Sequence, residues 1–96
     1  MNMKIVIIGD GKVGFKLAKQ LSEENYDVVV IDNNEKKLKD AINNLDINCF
    51  AGDGVSATVQ EEAGVPGADL VIACASTDEL NMLSCLIARR LGAKHT

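Results

Sequence analysis

A continuous β-branched run, Lys4-Ile-Val-Ile-Ile8, passes directly into Gly9-Asp10-Gly11-Lys12-Val13-Gly14, and a helical pattern begins at once. The run lacks the polar–apolar alternation of a half-exposed strand, which marks it as buried on both faces. From Lys12 to Glu24 the apolar residues Val13, Leu17, Ala18 and Leu21 recur at helical spacing. A strand covered on both sides needs helices above and below it, so this opening already points to a parallel α/β sheet.

The rest of the chain repeats the pattern. Asp27-Val-Val-Val-Ile-Asp32 predicts a second buried strand, and Glu35 to Asn44 a helix with Asn33 or Asn34 as its N-cap. Asp46 to Ala51 is shorter and more alternating, as suits a strand nearer the edge. Gly52-Asp53-Gly54 ends it, Ser56 caps a short helix through Ala63, and Gly64-Val-Pro-Gly67 breaks the chain. Asp69 to Ala75 predicts the fourth strand. Thr77 then caps a longer helix, with Asp78 and Glu79 in its first turn, Arg89 and Arg90 in its last and Gly92 as the stop.

The expected fold is therefore α/β, a Rossmann-like doubly wound parallel sheet with strand order 3-2-1-4. Residues 1–96 make one domain. A six-stranded sheet of this kind needs two more strands, so the sequence is expected to be a fragment of a longer chain, cut before the last two. His95, close to the end, is expected in a disordered tail.

Composition narrows the function. Only 3% of residues are aromatic and the net charge is −4, so neither stacking rings nor a basic face favours nucleic acid. Lys36, Lys37 and Lys39 alternate with acids and read as a solvated helix face. Three widely spaced cysteines, Cys49, Cys74 and Cys85, suggest neither zinc nor disulfides and fit a reducing, cytoplasmic setting. No stretch approaches the about 18 apolar residues of a membrane span, so a partner would have to bring the chain to a membrane.

The chemistry lies in the first turn. G-x-G-x-x-G after a strand and at a helix start is the context in which the pattern binds a dinucleotide. Gly9 is expected to turn the chain sharply, Gly11 to admit the diphosphate to the backbone, and Gly14 to let the helix lie close to the sheet. The free amides of the first helical turn and its positive dipole end then face the diphosphate. Asp10 and Lys12 lie on this loop, Asp10 turned outward and paired with Lys12. Asp32, eighteen positions beyond Gly14, ends the second strand where a carboxylate accepts ribose hydroxyls and repels a 2′-phosphate. That favours NAD or NADH over the phosphorylated cofactors. Asn33 either bonds the same ribose or caps the next helix.

Two further loops reach the same edge of the sheet. Gly52, Asp53 and Gly54 either meet an adenine ring or form an ordinary turn. Ala75, Ser76 and Thr77 either lie beside the nicotinamide end, with Asp78 in reach, or simply cap the helix. Asn81 either faces solvent or points back toward the site, on a helix whose apolar stripe is Leu80, Leu83, Ile87 and Leu91.

The fingerprint, Val-Ile-Asp32-Asn, Gly52-Asp53-Gly54, Ala-Gly-Val-x-Gly-Ala-Asp69 and Thr77-Asp-Glu-x-Asn81 together resemble the N-terminal RCK/KTN (TrkA-N) domain of Trk/Ktr potassium-uptake regulators. The resemblance runs along nearly the whole chain. It implies a regulatory subunit that binds NAD(H) or, alternatively, ATP, ADP or AMP. Such a subunit forms dimers or rings on the inner face of the cell membrane and gates a potassium transporter or channel. It places the diphosphate on Gly9, Gly11 and Gly14, the adenosine ribose on Asp32 and the adenine beside Asp53. Thr77 to Asn81 fall beside the distal end of the nucleotide.

An enzyme is not expected. Hydride transfer needs a proton donor or acceptor near the nicotinamide. Tyr26 precedes the second strand at the far edge, His95 is near the end and Lys12 lies on the diphosphate loop. The competing reading is the cofactor half of a truncated NAD-dependent dehydrogenase, which steady hydride transfer would reveal.

Overall fold

In a computed structural model of the chain, residues 3–9, 12–36, 38–39 and 47–96 are described, with Lys12 represented by its backbone alone. Four parallel strands stand in the order β3-β2-β1-β4, as expected of a doubly wound dinucleotide-binding sheet. They are β1 (Lys4–Ile8), β2 (Asp27–Asp32), β3 (Asn48–Ala51) and β4 (Leu70–Ala73). Among the described residues the helices with both ends in view are α1 (Lys12–Glu23), α2 (Ala57–Glu62) and α3 (Asp78–Leu91), with a 3-10 turn at Val65–Gly67. Residues 35, 36, 38 and 39 are helical, and the remainder of the helix expected to Asn44 lies outside the described residues.

The pleat divides the strands' apolar side chains between two cores. Val6, Ile8, Val29, Ile31 and Val71 face one side, packed with Ala63, Val65 and Ala88. Ile5, Ile7, Val28 and Val30 face the other, packed with Ala18 of α1 and Leu38. In-register pairs Val6↔Val29, Ile7↔Val30 and Ile8↔Ile31 keep like faces together across β1 and β2. Every residue from Ile5 to Ile8 is buried, which explains the unbroken apolar run. Burying each such side chain contributes about 1.5–3 kcal/mol.

The helix boundaries follow local chemistry. Ser56 Oγ accepts from the Val59 amide, and Thr77 Oγ1 from the Leu80 amide, so both expected N-caps are in place. Gly92 closes α3 in the left-handed conformation at φ 111°, with Arg89 and Arg90 in the last turn. Two expectations fail here. α3 buries Ser84 and Ala88; of its apolar stripe Ile87 and Leu91 are half-buried, while Leu80 and Leu83 are exposed, as are Met82 and Leu86. His95 is not in a loose tail: it forms a parallel bridge with Leu70, and its carbonyl accepts from the Val71 amide at 2.9 Å. The free edge of β4 is what it pairs with, since unpaired strand amides favour such addition.

Asp69 ties this region together. Its Oδ2 accepts from the Lys4 amide at 2.8 Å and its Oδ1 from Lys94 Nζ at 3.1 Å. The Lys4 amide first, and Lys94 second, hold its carboxyl below the usual carboxylate range. A depressed value means that the carboxylate stabilises the fold above its unfolded value of about 3.9, and that this contribution disappears as pH falls through the folded value. Asp69→Asn is therefore expected to lower the urea midpoint at pH 7 and to lower it by less at about pH 3. Equal losses at both pH values would exclude this role.

Candidate functional site

Because all four strands are parallel, their carboxyl ends open on one edge, and the loops leaving them meet there. A crevice at this edge is lined from β1 by Ile8 and Gly9, from β2 by Ile31, Asp32 and Asn33, from the loop after β3 by Gly52 to Val55, and from beyond β4 by Ala75, Leu80 and Ser84. Sequence alone did not indicate Val55, Leu80 or Ser84 as part of this lining. The signal for Ser84 is its spacing from Ala88, two small residues one turn apart on the inner side of α3.

Gly9 continues the sheet beyond β1, its amide donating to Ile31 O at 3.1 Å. The Cys74 amide donates to Ile8 O at 2.7 Å and draws the end of β4 against the same point. A Cβ on Gly9 would stand 2.8 Å from Cys74 O. Among the described residues Gly9 is not one of the positive-φ glycines. The turn expected beyond Gly9 runs into Asp10 and Gly11, outside the described residues; within them, the neighbouring Cys74 backbone by itself demands glycine here. Gly14 is buried in α1, where a Cβ would make ordinary contacts with Cys74 Sγ and Ile7 Cγ2. Gly11 and Asp10 lie outside the described residues, as does the Lys12 side chain. Val13 is 67% exposed and lines no part of the crevice.

Asp32 is 2% exposed at the tip of β2. Its Oδ1 accepts from the Asn34 amide at 2.8 Å, a two-residue turn that fixes the carboxylate against the crevice. Asn34 O in turn accepts from the Leu38 amide, so Asn34 occupies the cap position, while Asn33 is exposed and lines the crevice. Asp32 also acts at a distance. Burial first, and the Asp32 charge second, push the Cys49 thiol upward, which keeps it protonated at neutral pH.

The other loops are resolved in the same way. Asp53 is exposed, and its Oδ1 accepts from the Val55 amide at 3.0 Å, so the turn reading holds while the residue still borders the crevice. Gly52 and Gly54 are both needed for clearance, since a Cβ would meet Val59 Cγ2 and Ile8 Cγ2 respectively. Ala75 reaches the crevice; Ser76 and Thr77 do not line it, and Thr77 serves as the cap. Asn81 settles its alternatives inward. Its Oδ1 accepts from the Ala75 amide at 2.6 Å and its Nδ2 donates to Ala75 O at 3.2 Å, gripping that backbone as a neighbouring strand would.

Chemically, the crevice offers one buried carboxylate, small residues and backbone, beside the start of α1. Among the described residues no histidine, tyrosine or lysine lines it, and no His/Cys/Asp/Glu group could hold a metal ion.

Comparison with known proteins bears on this arrangement. The chain is 42% identical to the Trk system potassium uptake protein TrkA of Halomonas elongata over 89 residues, 93% of this chain and 20% of that protein. It spans, then, about a fifth of that relative's length. Its fold is shared with the Kef C-terminal domain of Shewanella denitrificans in an AMP-bound form, at TM-score 0.79 and 19% identity, covering 97% of this chain and 54% of that one. The GsuK channel bound to NAD matches at TM-score 0.79 and 23% identity, covering 96% of this chain and 17% of that one. The model of the TrkA-N domain matches residues 5–96, and the chain belongs to that family.

Proposed function

We propose that this chain is a nucleotide-binding regulatory domain of a potassium uptake system, with NAD or NADH as its ligand and ATP, ADP or AMP as the alternative. The observation that carries the reading is Asp32, buried at the tip of β2 in a crevice that Gly9 also lines. The diphosphate would rest on amides around Gly9, Gly11 and Gly14, the adenosine ribose on Asp32 and Asn33, and the adenine between Gly52, Asp53 and Gly54. Asp10, Lys12 and Val13 complete the diphosphate loop in the sequence, and Ala75 would face the distal end.

The NAD and AMP bound to structural neighbours support this ligand class, and the TrkA relative supports potassium uptake as the setting. No helix among the described residues is long and apolar enough to cross a membrane. A separate potassium transporter or channel subunit would supply the pore, with this domain on its cytoplasmic face as part of a dimer or ring in a longer chain. The ligand acts by preferring one of two loop arrangements, so that its binding biases the coupled pore. Among the described residues the crevice is lined by no histidine, tyrosine or lysine, the usual proton donors and acceptors beside a nicotinamide, which favours this sensor over a dehydrogenase fragment.

A thermal-shift panel of NAD, NADH, NADP, ATP, ADP and AMP tests the reading. A ligand at a hundred times its Kd stabilises by about 2.7 kcal/mol, which raises the Tm of a domain this size by roughly 10 °C or more. NAD or NADH should stabilise more than NADP. Equal shifts with ATP and NADH would mean that adenosine and phosphates alone are read, and no shift with any would refute the site.

A further inference from the structure

Gln60 of α2 is completely buried. Its Nε2 donates to Gly54 O at 2.7 Å and to Ser84 O at 3.1 Å. Both acceptors are carbonyl oxygens, which fixes the nitrogen on that side of the amide. Oε1 is left buried without a hydrogen-bond partner. An unsatisfied buried acceptor destabilises a fold, and an apolar side chain of similar size would avoid that loss. The amide's bonds therefore deserve a reason other than stability.

Their position supplies it. Gly54 and Ser84 both line the crevice, one on the loop after β3 and the other in the middle of α3. Between them a single side chain joins the wall expected to meet the adenine to the helix whose other sides expose Met82, Leu83 and Leu86. Gly54 has little freedom to move toward the sheet, because Ile8 fills the space behind it. Displacement of the loop by a ligand must then pass through Gln60 or break its bonds.

We propose that Gln60 is a positioning residue that couples nucleotide binding in the crevice to the ordering of α3, making this helix the output element of the domain. The coupling rests on the nucleotide reading above. A donor to two carbonyls on separate elements stiffens both when one is held by ligand, and the helix is then protected without touching most of the nucleotide.

Amide hydrogen exchange of the full chain, with and without saturating NADH or AMP, tests the coupling in wild type and in Gln60→Met. In wild type, ligand should slow exchange both at residues 52–55 and at residues 84–88, the latter by about fivefold or more. In Gln60→Met the loop should remain protected while the helix loses its response. Helix protection as strong as in wild type overturns the proposal. Wild type lacking protection at residues 52–55 overturns the nucleotide reading, and the coupling with it.

Gln60→Glu gives a second test that a purely structural role would not pass. A carboxylate offers no donor to Gly54 O and Ser84 O, whereas a protonated carboxyl offers one, and burial raises the pH at which it protonates. The helix response should be absent at high pH and return as pH falls, while wild type stays flat. If the methionine variant does not fold, this profile decides alone, and a flat profile in Gln60→Glu overturns the coupling.

Discussion

Gly9→Ala is expected to lower the Tm by roughly 5–20 °C and to abolish stabilisation by nucleotides. A methyl group there would lie 2.8 Å from Cys74 O and 2.9 Å from Cys74 C, distances that real side chains do not tolerate. The obstacle is backbone, so no rotamer change relieves it. Nor can Cys74 retreat freely, because its amide donates to Ile8 O and continues the β1–β4 pairing. Overpacking of this kind costs about 1–3 kcal/mol, and each kcal/mol moves the Tm of a domain this size by roughly 4–8 °C. Gly14→Ala is the internal control. Its Cβ would make contacts of 3.4 and 3.5 Å with side-chain atoms, and alanine is the better helix former by about 1 kcal/mol. Thermal unfolding of the two variants should diverge, with Gly14→Ala near wild type. A Gly9→Ala protein as stable as wild type would show that the close approach to Cys74 is not fixed.

These two glycines also show what the sequence could and could not disclose. Hydrophobic periodicity was sufficient for a parallel sheet, because β1 and β2 are buried on both faces, while the order β3-β2-β1-β4 needed the glycine fingerprint, which selects one of the doubly wound arrangements. The position of Asp32 was legible for the same reason, being the last residue of such a run. At Gly9 the pattern offered a reason for glycine within the loop but could not offer the second one, the backbone of Cys74, sixty-five positions away in the chain. The apolar stripe of α3 is buried only in part: Leu91 packs against the core, while Leu80 and Leu83 are exposed. The fully buried positions of the helix belong to the small residues Ser84 and Ala88, which a count of leucines passes over. Gln60 gave no signal at all, because a glutamine in a six-residue helix looks solvent-facing until Gly54 and Ser84 are brought to it. His95 was misjudged because pairing with Leu70 depends on an open strand edge, which only the assembled sheet presents.

Asp32→Asn should weaken NADH binding by about 10- to 100-fold, with little change in the fold. The substitution keeps an oxygen able to accept from the Asn34 amide, so the turn at the tip of β2 survives. What disappears is the charge that a ribose diol would bind and that a 2′-phosphate would meet as repulsion. Calorimetric affinities for NADH should fall toward those for NADPH, because the variant loses attraction for the first and repulsion for the second. Cys49 reports the charge independently of any ligand. Burial is the larger cause of its raised pKa and the Asp32 charge the smaller, so the thiol in Asp32→Asn should titrate at lower pH than in wild type while staying above an exposed cysteine. An earlier onset of alkaline thiol reactivity at Cys49, together with unchanged NADH affinity, would mean that the carboxylate was removed and the nucleotide did not depend on it. That pair of results would remove the ribose from β2, and the diphosphate loop would then have to hold the ligand without this anchor.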